Sequence, residues 1–188
     1  IERPASVIKE LVENSIDAGA KHITVEIKNG GTVFMRITDD GCGIAAEDVA
    51  TAFLRHATSK INEKDDLDNI CTLGFRGEAL ASVAAVAKVE LMTKRKSDEY
   101  GTCYCIEGSI EKSCEPSGCP DGTTIIIRDL FYNVPVRRKF MKKDVTEANA
   151  VSQIMQKIAL SHYQSYNHII CSLVCVLCWA KKRETSGR

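Results

Sequence analysis

The chain has 188 residues, 44% of them hydrophobic, enough to bury the core of one ordinary domain and too apolar for a disordered polymer. Lys plus Arg and Asp plus Glu both number 25, so only a local basic patch, not global charge, could argue for nucleic acid. Aromatics at 6% argue against a stacking platform for single strands, and the apolar stretch 169–180, broken by Ser172, is too short to span a bilayer. No secretory leader pattern is visible, and nine scattered cysteines, an odd number, read as reduced thiols and not as a disulfide framework. Cys175 and Cys178, with Cys171 and His168 upstream, have partial metal-knuckle spacing, but a chance cluster is the simpler account.

In chain order, residues 4–18 are predicted as a helix that opens on Pro4 and closes on Gly19. Val7, Ile8, Leu11, Val12 and Ser15 fall on one face, and Glu10, Asn14 and Asp17 form a polar stripe along its edge. Residues 21–28 alternate as a strand with Ile23, Val25 and Ile27 inward; Asn29-Gly30-Gly31 turns; 32–38 alternate again with Val33, Met35 and Ile37 inward. A glycine-rich turn, Asp39-Asp40-Gly41-Cys42-Gly43, follows directly. Residues 46–56 are predicted helical, 58–73 a charged loop, and 78–86 a short helix entered through Gly74-Phe75-Arg76-Gly77. Strands are expected at 89–93, 102–107, 109–112 and 123–129, and a last helix at 145–160. Helices and strands are partly segregated, which predicts an α+β fold, a two-layer sandwich, and not a doubly wound sheet. Residues 1–160 are read as one domain with an incomplete N-terminus. After Ser161 the composition changes to Cys, His, Tyr and Ile without acids or glycine up to Trp179, so 161–188 is read as a tail of uncertain origin, a structural subdomain or, as the favoured expectation, a frameshifted, chimeric or non-native end.

Several short patterns could carry chemistry. Glu10 and Asn14, one helical turn apart, offer two hard oxygen groups suited to a Mg²⁺ ion with attached phosphates and waters, and a carboxylate there could act as general base; a solvated helix face is the alternative. Asp39-x-Gly41-x-Gly43 ends a strand on an acceptor and lets a ligand approach the backbone, or is simply a tight turn. Gly74-Phe75-Arg76-Gly77-Glu78 opens a helix whose N–H groups favour phosphate, without the Lys-Ser/Thr of a Walker loop. Thr58-Ser59-Lys60 adds hydroxyls and an ammonium, and Gly122-Thr123 starts a strand. Arg137-Arg138-Lys139 with Lys142-Lys143 is a basic cluster that could meet DNA phosphates or remain solvated.

Taken in order, Glu-x-x-x-Asn, Asp-x-Gly-x-Gly, Gly-x-x-Gly before a helix and Gly-Thr into a strand resemble the motif series of the GHKL ATPases (gyrase, Hsp90, histidine kinase, MutL). The longer wording resembles the MutL mismatch-repair family: Glu2-Arg3-Pro4-Ala5-Ser6-Val7, Lys9-Glu10-Leu11-Val12-Glu13-Asn14-Ser15, Arg55-His56-Ala57-Thr58-Ser59-Lys60, Leu73 to Leu80 and Asp129 to Phe140. The resemblance runs from Ile1 to about Leu160. It implies the two-layer ATPase fold with helices on one face of a mixed sheet, and a Mg²⁺-dependent ATPase. Glu10 would be the general base, Asn14 the Mg²⁺ ligand, and Asp39 the reader of the adenine amine, with Gly43 beside the ring and Thr123 in support. Thr58, Ser59 and Lys60 would border the nucleotide, and Gly74, Phe75, Arg76, Gly77, Glu78, Ala79 and Leu80 would wrap the phosphates. Residues 60–73 would form a lid. Arg137, Arg138 and Lys139 would contact DNA.

The family further implies ATP-driven lid closure and homodimerisation, a mismatch-recognition partner of the MutS type, downstream repair enzymes, and a bacterial cytoplasmic setting with nucleoid association during repair and no membrane role. Asp40 stands where the family usually has Asn, with little expected effect. The family's strap before Ile1, its second domain with a lysine for the γ-phosphate, and its C-terminal dimerisation and endonuclease region fall outside this chain, so hydrolysis is expected to be weak or negligible. A nucleotide-gated binding module is therefore the alternative function. A histidine kinase is disfavoured because Glu10 stands where those proteins carry His and no phosphoacceptor helix is present; Hsp90 and gyrase differ around 73–80.

Overall fold

The computed structural model describes residues 1–54, 79–162 and 170–175. The chain runs α1 (Pro4–Asp17), β1 (His22–Lys28), β2 (Phe34–Asp39), α2 (Ala46–Val49), α3 (Ala79–Ala84), β3 (Lys88–Lys94), β4 (Gly101–Glu107), β5 (Ile110–Ser117), β6 (Gly122–Arg128), α4 (Pro135–Lys139), α5 (Asp144–His162) and β7 (Ile170–Cys175). One sheet has the order β5-β4-β3-β6-β2-β1-β7. Every neighbouring pair is antiparallel except β1 with β7, which is parallel, so the sheet is mixed. Helices cover one face, giving the two-layer α+β sandwich expected from the order of elements.

Alternation decides which residues enter the core. Ile23, Val25 and Ile27 of β1, Met35 and Ile37 of β2, Val89 and Leu91 of β3, and Ile125 and Ile127 of β6 are buried on the helix side. They meet Val7, Ile8, Leu11 and Val12 of α1, Leu80 and Val83 of α3, and Val151 and Met155 of α5. The stripe predicted on α1 is thus its buried face. Fully burying such aliphatic side chains contributes roughly 1.5–3 kcal/mol each, which makes this face the main source of stability.

Some local expectations are corrected. Val33 lies outside β2 and is 41% exposed, because its carbonyl is turned to accept from the Asp129 N–H. The helix expected over 46–56 stops at Val49, and Thr51–Phe53 forms a 3-10 turn that swings Phe53 inward to stack on Tyr104 at 5.1 Å between centroids. α3 ends at Ala84 because the next carbonyls are taken by tertiary partners: Ala85 O by Asn133 Nδ2, Val86 O by Phe131 N and Ala87 O by Gly108 N. β5 extends to Ser117 although both its faces are largely exposed; backbone pairing with β4 carries it, and Pro116 is tolerated on an edge strand. α4 and β7 had no periodicity to announce them. β7 brings residues 170–175 of the expected tail onto the edge of β1. Among the described residues, no helix is long and apolar enough to cross a membrane.

Candidate functional site

The apolar face of the sheet ends in a polar row. Asp39 of β2 is in register with Thr123 of β6, Thr123 with Thr93 of β3, and Thr93 with Thr102 of β4. Each continues the inward set of its own strand, so these side chains lie on the helix side where the aliphatic packing stops. Asp39, Thr93 and Thr102 are buried.

Asp39 is the centre of the row. Its Oδ2 accepts from Ser15 Oγ at 2.7 Å, and its Oδ1 accepts from Gly41 N at 2.9 Å and Thr123 N at 3.3 Å. Burial pushes its carboxyl above the usual aspartate range; the hydrogen bonds from Ser15, Gly41 and Thr123 oppose that rise. A carboxylate offers about four lone-pair sites, so these partners leave room for about one further donor.

Two glycines let the backbone close around it. Gly43 has φ +72°, and a Cβ there would overlap the Lys94 carbonyl; Gly122 has φ +104°, and a Cβ there would overlap the Asp39 carbonyl. Thr93 Oγ1 ties the strand ends together. It accepts from Ile44 N at 2.9 Å, donates to Gly122 O at 3.1 Å, and stands 3.1 Å from Thr123 Oγ1.

α1 supplies the next wall. The Ser15–Asp39 bond fixes the last turn of α1 beside the end of β2. Asn14 is half-buried, and Glu10, one turn earlier, is exposed. Lys9 Nζ sits 3.7 Å from Glu10 but 2.7 Å from Glu13, so Glu13 is its main partner. The hydrogen bond to Glu13 is also the chief reason that the Lys9 ammonium is held above its ordinary range. The donor set fits Mg²⁺ only as an ion that keeps its phosphates and waters: Asn14 offers one amide oxygen and Glu10 a carboxylate, and the described residues contain no cluster of His, Cys, Asp and Glu able to cage a metal.

The structure therefore brings Asp39, Gly43 and Thr123 together and sets the helix bearing Asn14 and Glu10 beside them. Ala79 and Leu80 open α3, where Leu80 is buried in the core, so a phosphate would meet backbone and not the Leu80 side chain. Thr58, Ser59, Lys60, Gly74, Phe75, Arg76, Gly77 and Glu78 lie outside the described residues. Arg137, Arg138 and Lys139 are exposed on α4, away from this row; Arg137 Nη1 donates to Ile1 O at 3.1 Å and its guanidinium lies 5.9 Å from the Phe131 ring centre.

Sequence reasoning missed Ser15 and Thr93 as site residues. Ser15 was visible only as a polar residue on an apolar helix face, and Thr93 only as the end of a strand. Asp40, expected to matter little, accepts from Lys21 N at 2.7 Å and His22 N at 2.8 Å and contacts His22 Nδ1 at 2.7 Å. Partial burial pushes its carboxyl up, but these contacts outweigh it and hold the group at about 2. It clamps the start of β1 and turns away from Asp39.

Residues 2–114 match the family model described as histidine kinase-, DNA gyrase B- and HSP90-like ATPase. The chain is 60% identical over 162 residues to the DNA mismatch repair protein MutL of Agathobacter rectalis, covering 86% of this chain and 25% of that protein. It is 53% identical over 162 residues to MutL of Caldanaerobacter subterraneus, covering 86% of this chain and 28% of that one. The chain thus spans about a quarter of the length of the curated relatives it matches. The Aquifex aeolicus MutL ATPase domain complexed with ADP superposes with a TM-score of 0.70 at 31% identity, over 93% of this chain and 60% of that chain. The motif order, the polar row at the sheet end and these similarities agree: the chain belongs to the histidine kinase-, DNA gyrase B- and HSP90-like ATPase family, and within it is similar to the ATPase domain of MutL proteins.

Proposed function

We propose that this chain is the ATP-binding and ATP-hydrolysing domain of a MutL-type mismatch repair protein. One observation carries the reading: Asp39 is buried, fixed by three named donors, and left with about one lone pair for an incoming amine. An adenine exocyclic amine is such a donor. Gly43 keeps the backbone beside the ring free of a side chain, and Thr123 with Thr93 holds the floor.

In this reading Asn14 contributes an oxygen to Mg²⁺, which when bound would neutralise phosphate charge. Glu10 takes a proton from the attacking water as general base, its carboxylate lying on the same helix edge as Asn14. Ala79 and Leu80 present backbone N–H groups at the start of α3, and residues 74–78, with Thr58, Ser59 and Lys60, complete the phosphate surround. Residues 1–160 carry the domain, and 161–188 are a tail of uncertain, frameshifted or non-native origin whose residues 170–175 add a strand to the sheet beside β1. In the parent protein, ATP would close a lid and drive homodimerisation, and a MutS-type protein and DNA would be partners, in the bacterial cytoplasm and at the nucleoid.

The test is calorimetric titration of ATP into the 188-residue chain, with and without Mg²⁺, beside Asp39→Asn, Asn14→Ala and Glu10→Ala. Saturable binding is expected in the unmutated chain. It should be lost in Asp39→Asn, weakened in Asn14→Ala only when Mg²⁺ is present, and kept in Glu10→Ala. Phosphate release that vanishes in Glu10→Ala supports hydrolysis. Release that is negligible throughout while binding persists selects the nucleotide-gated binding module instead. No binding by a folded, unmutated chain overturns the proposal.

A further inference from the structure

The sheet face turned away from the helices carries a sulfur cluster that the nucleotide site does not use. Tyr104 and Leu91 are buried on the helix side and paired across β4 and β3. Alternation therefore sends Cys103 and Cys105 of β4, and Met92 and Glu90 of β3, to the opposite face. Cys103 stands directly across from Met92, and Cys105 directly across from Glu90. On the other side, Glu115 of β5 faces Cys103 and Ser113 faces Cys105. Directly opposed residues have Cβ atoms about 4.5–5.5 Å apart, within reach for a thioether and a thiol.

Cys103 and Cys105 are half-buried free thiols, two residues apart on the same face of β4. Glu90 is already engaged, accepting from Arg128 Nη1 at 2.8 Å. Burial, then the neighbouring Cys105, pushes the Cys103 thiol up to about 11. Two thiols and a thioether gathered on one face of β3 and β4 are a soft donor set, which favours soft, thiophilic cations over hard ones.

We propose that Cys103, Cys105 and Met92 form a binding site for a soft monovalent cation of the Cu(I) class. Two S–H bonds break, two metal–thiolate bonds form, and two protons leave to solvent; Met92 supplies a neutral thioether as third donor. No electron is transferred. Cys114 and Cys119 do not share this arrangement: Cys114 projects to the helix side opposite Tyr104, and Cys119 follows β5.

The experiment is anaerobic titration of the reduced 188-residue chain with Cu(I) against a chromophoric Cu(I) chelator. Cys103→Ser/Cys105→Ser is expected to bind about one equivalent less than the unmutated chain, and either single serine variant to hold that equivalent roughly tenfold or more weakly. Met92→Leu should weaken it by a smaller factor, and Cys114→Ser/Cys119→Ser should leave it unchanged. Alkylation mapped by mass spectrometry on the unmutated chain removes any dependence on how the variants fold: Cu(I) should protect positions 103 and 105 together. Equal Cu(I) uptake by the unmutated and double-serine chains, or equal alkylation of 103 and 105 with and without Cu(I), overturns the proposal.

Discussion

Ser15 Oγ donates to Asp39 Oδ2 across 2.7 Å, joining the last turn of α1 to the last residue of β2. The same hydroxyl lies 3.1 Å from the Leu11 carbonyl, so it is shared between its own helix and the strand. This contact makes α1 a wall of the site and not merely a cover for the sheet.

Ser15→Ala removes that donor and leaves one side of a buried carboxylate under-satisfied. The expected cost is about 1–3 kcal/mol, read from urea denaturation. With the hydrogen bond gone, the Asp39 carboxyl should rise further, so ATP binding should weaken at a higher pH than in the unmutated chain.

Asp39→Asn separates function from stability. Burial raises the Asp39 carboxyl in the folded chain, so the folded state holds that proton more tightly than the unfolded state. The stability linked to it is fully present below the unfolded carboxylate range, about pH 4, and is lost as pH rises through the raised folded value. Asn carries no charge to desolvate. Melting temperatures should therefore favour Asp39→Asn at pH 7, with the gap closing toward pH 4, while ATP binding is lost.

Asp40 has the opposite sign. Its folded value of about 2 lies below the unfolded one, so its contribution is present above about pH 4 and is lost as pH falls toward about 2. Asp40→Asn should lower the melting temperature at pH 7, and the two melting curves should converge on acidification.

Gly43→Ala meets both a positive φ and the Lys94 carbonyl, and should cost about 1–3 kcal/mol and disrupt nucleotide binding. Gly19→Ala is the control: φ is +72° there as well, but a Cβ would meet nothing within 4 Å, so only the backbone cost of about 1 kcal/mol is expected, with binding retained. Denaturation midpoints and ATP titrations on the same preparations distinguish them.

If α4 contacts DNA phosphates, Arg138→Ala and Lys139→Ala should each reduce the slope of log affinity against log salt by about 1 without changing the melting temperature. Arg137→Ala should also lower the melting temperature, because its guanidinium holds the Ile1 carbonyl. Filter binding across a salt series, beside thermal melts, separates the roles.

Much of this protein was legible in residue order. The apolar spacing of Val7, Ile8, Leu11 and Val12 and the alternation of Ile23, Val25 and Ile27 reflect burial of one face, which local periodicity records directly. Asp39 was legible as an acceptor carboxylate that ends a strand beside two glycines. Tertiary structure alone decided what meets it. Ser15 of α1 and Thr123 of β6 reach Asp39, and Thr93 of β3 reaches Thr123, only through the register of non-consecutive strands and the docking of α1. Val33, Asp40 and the break after Val49 escaped local reading for the same reason: each is set by a partner distant in sequence, and periodicity carries no information about such partners.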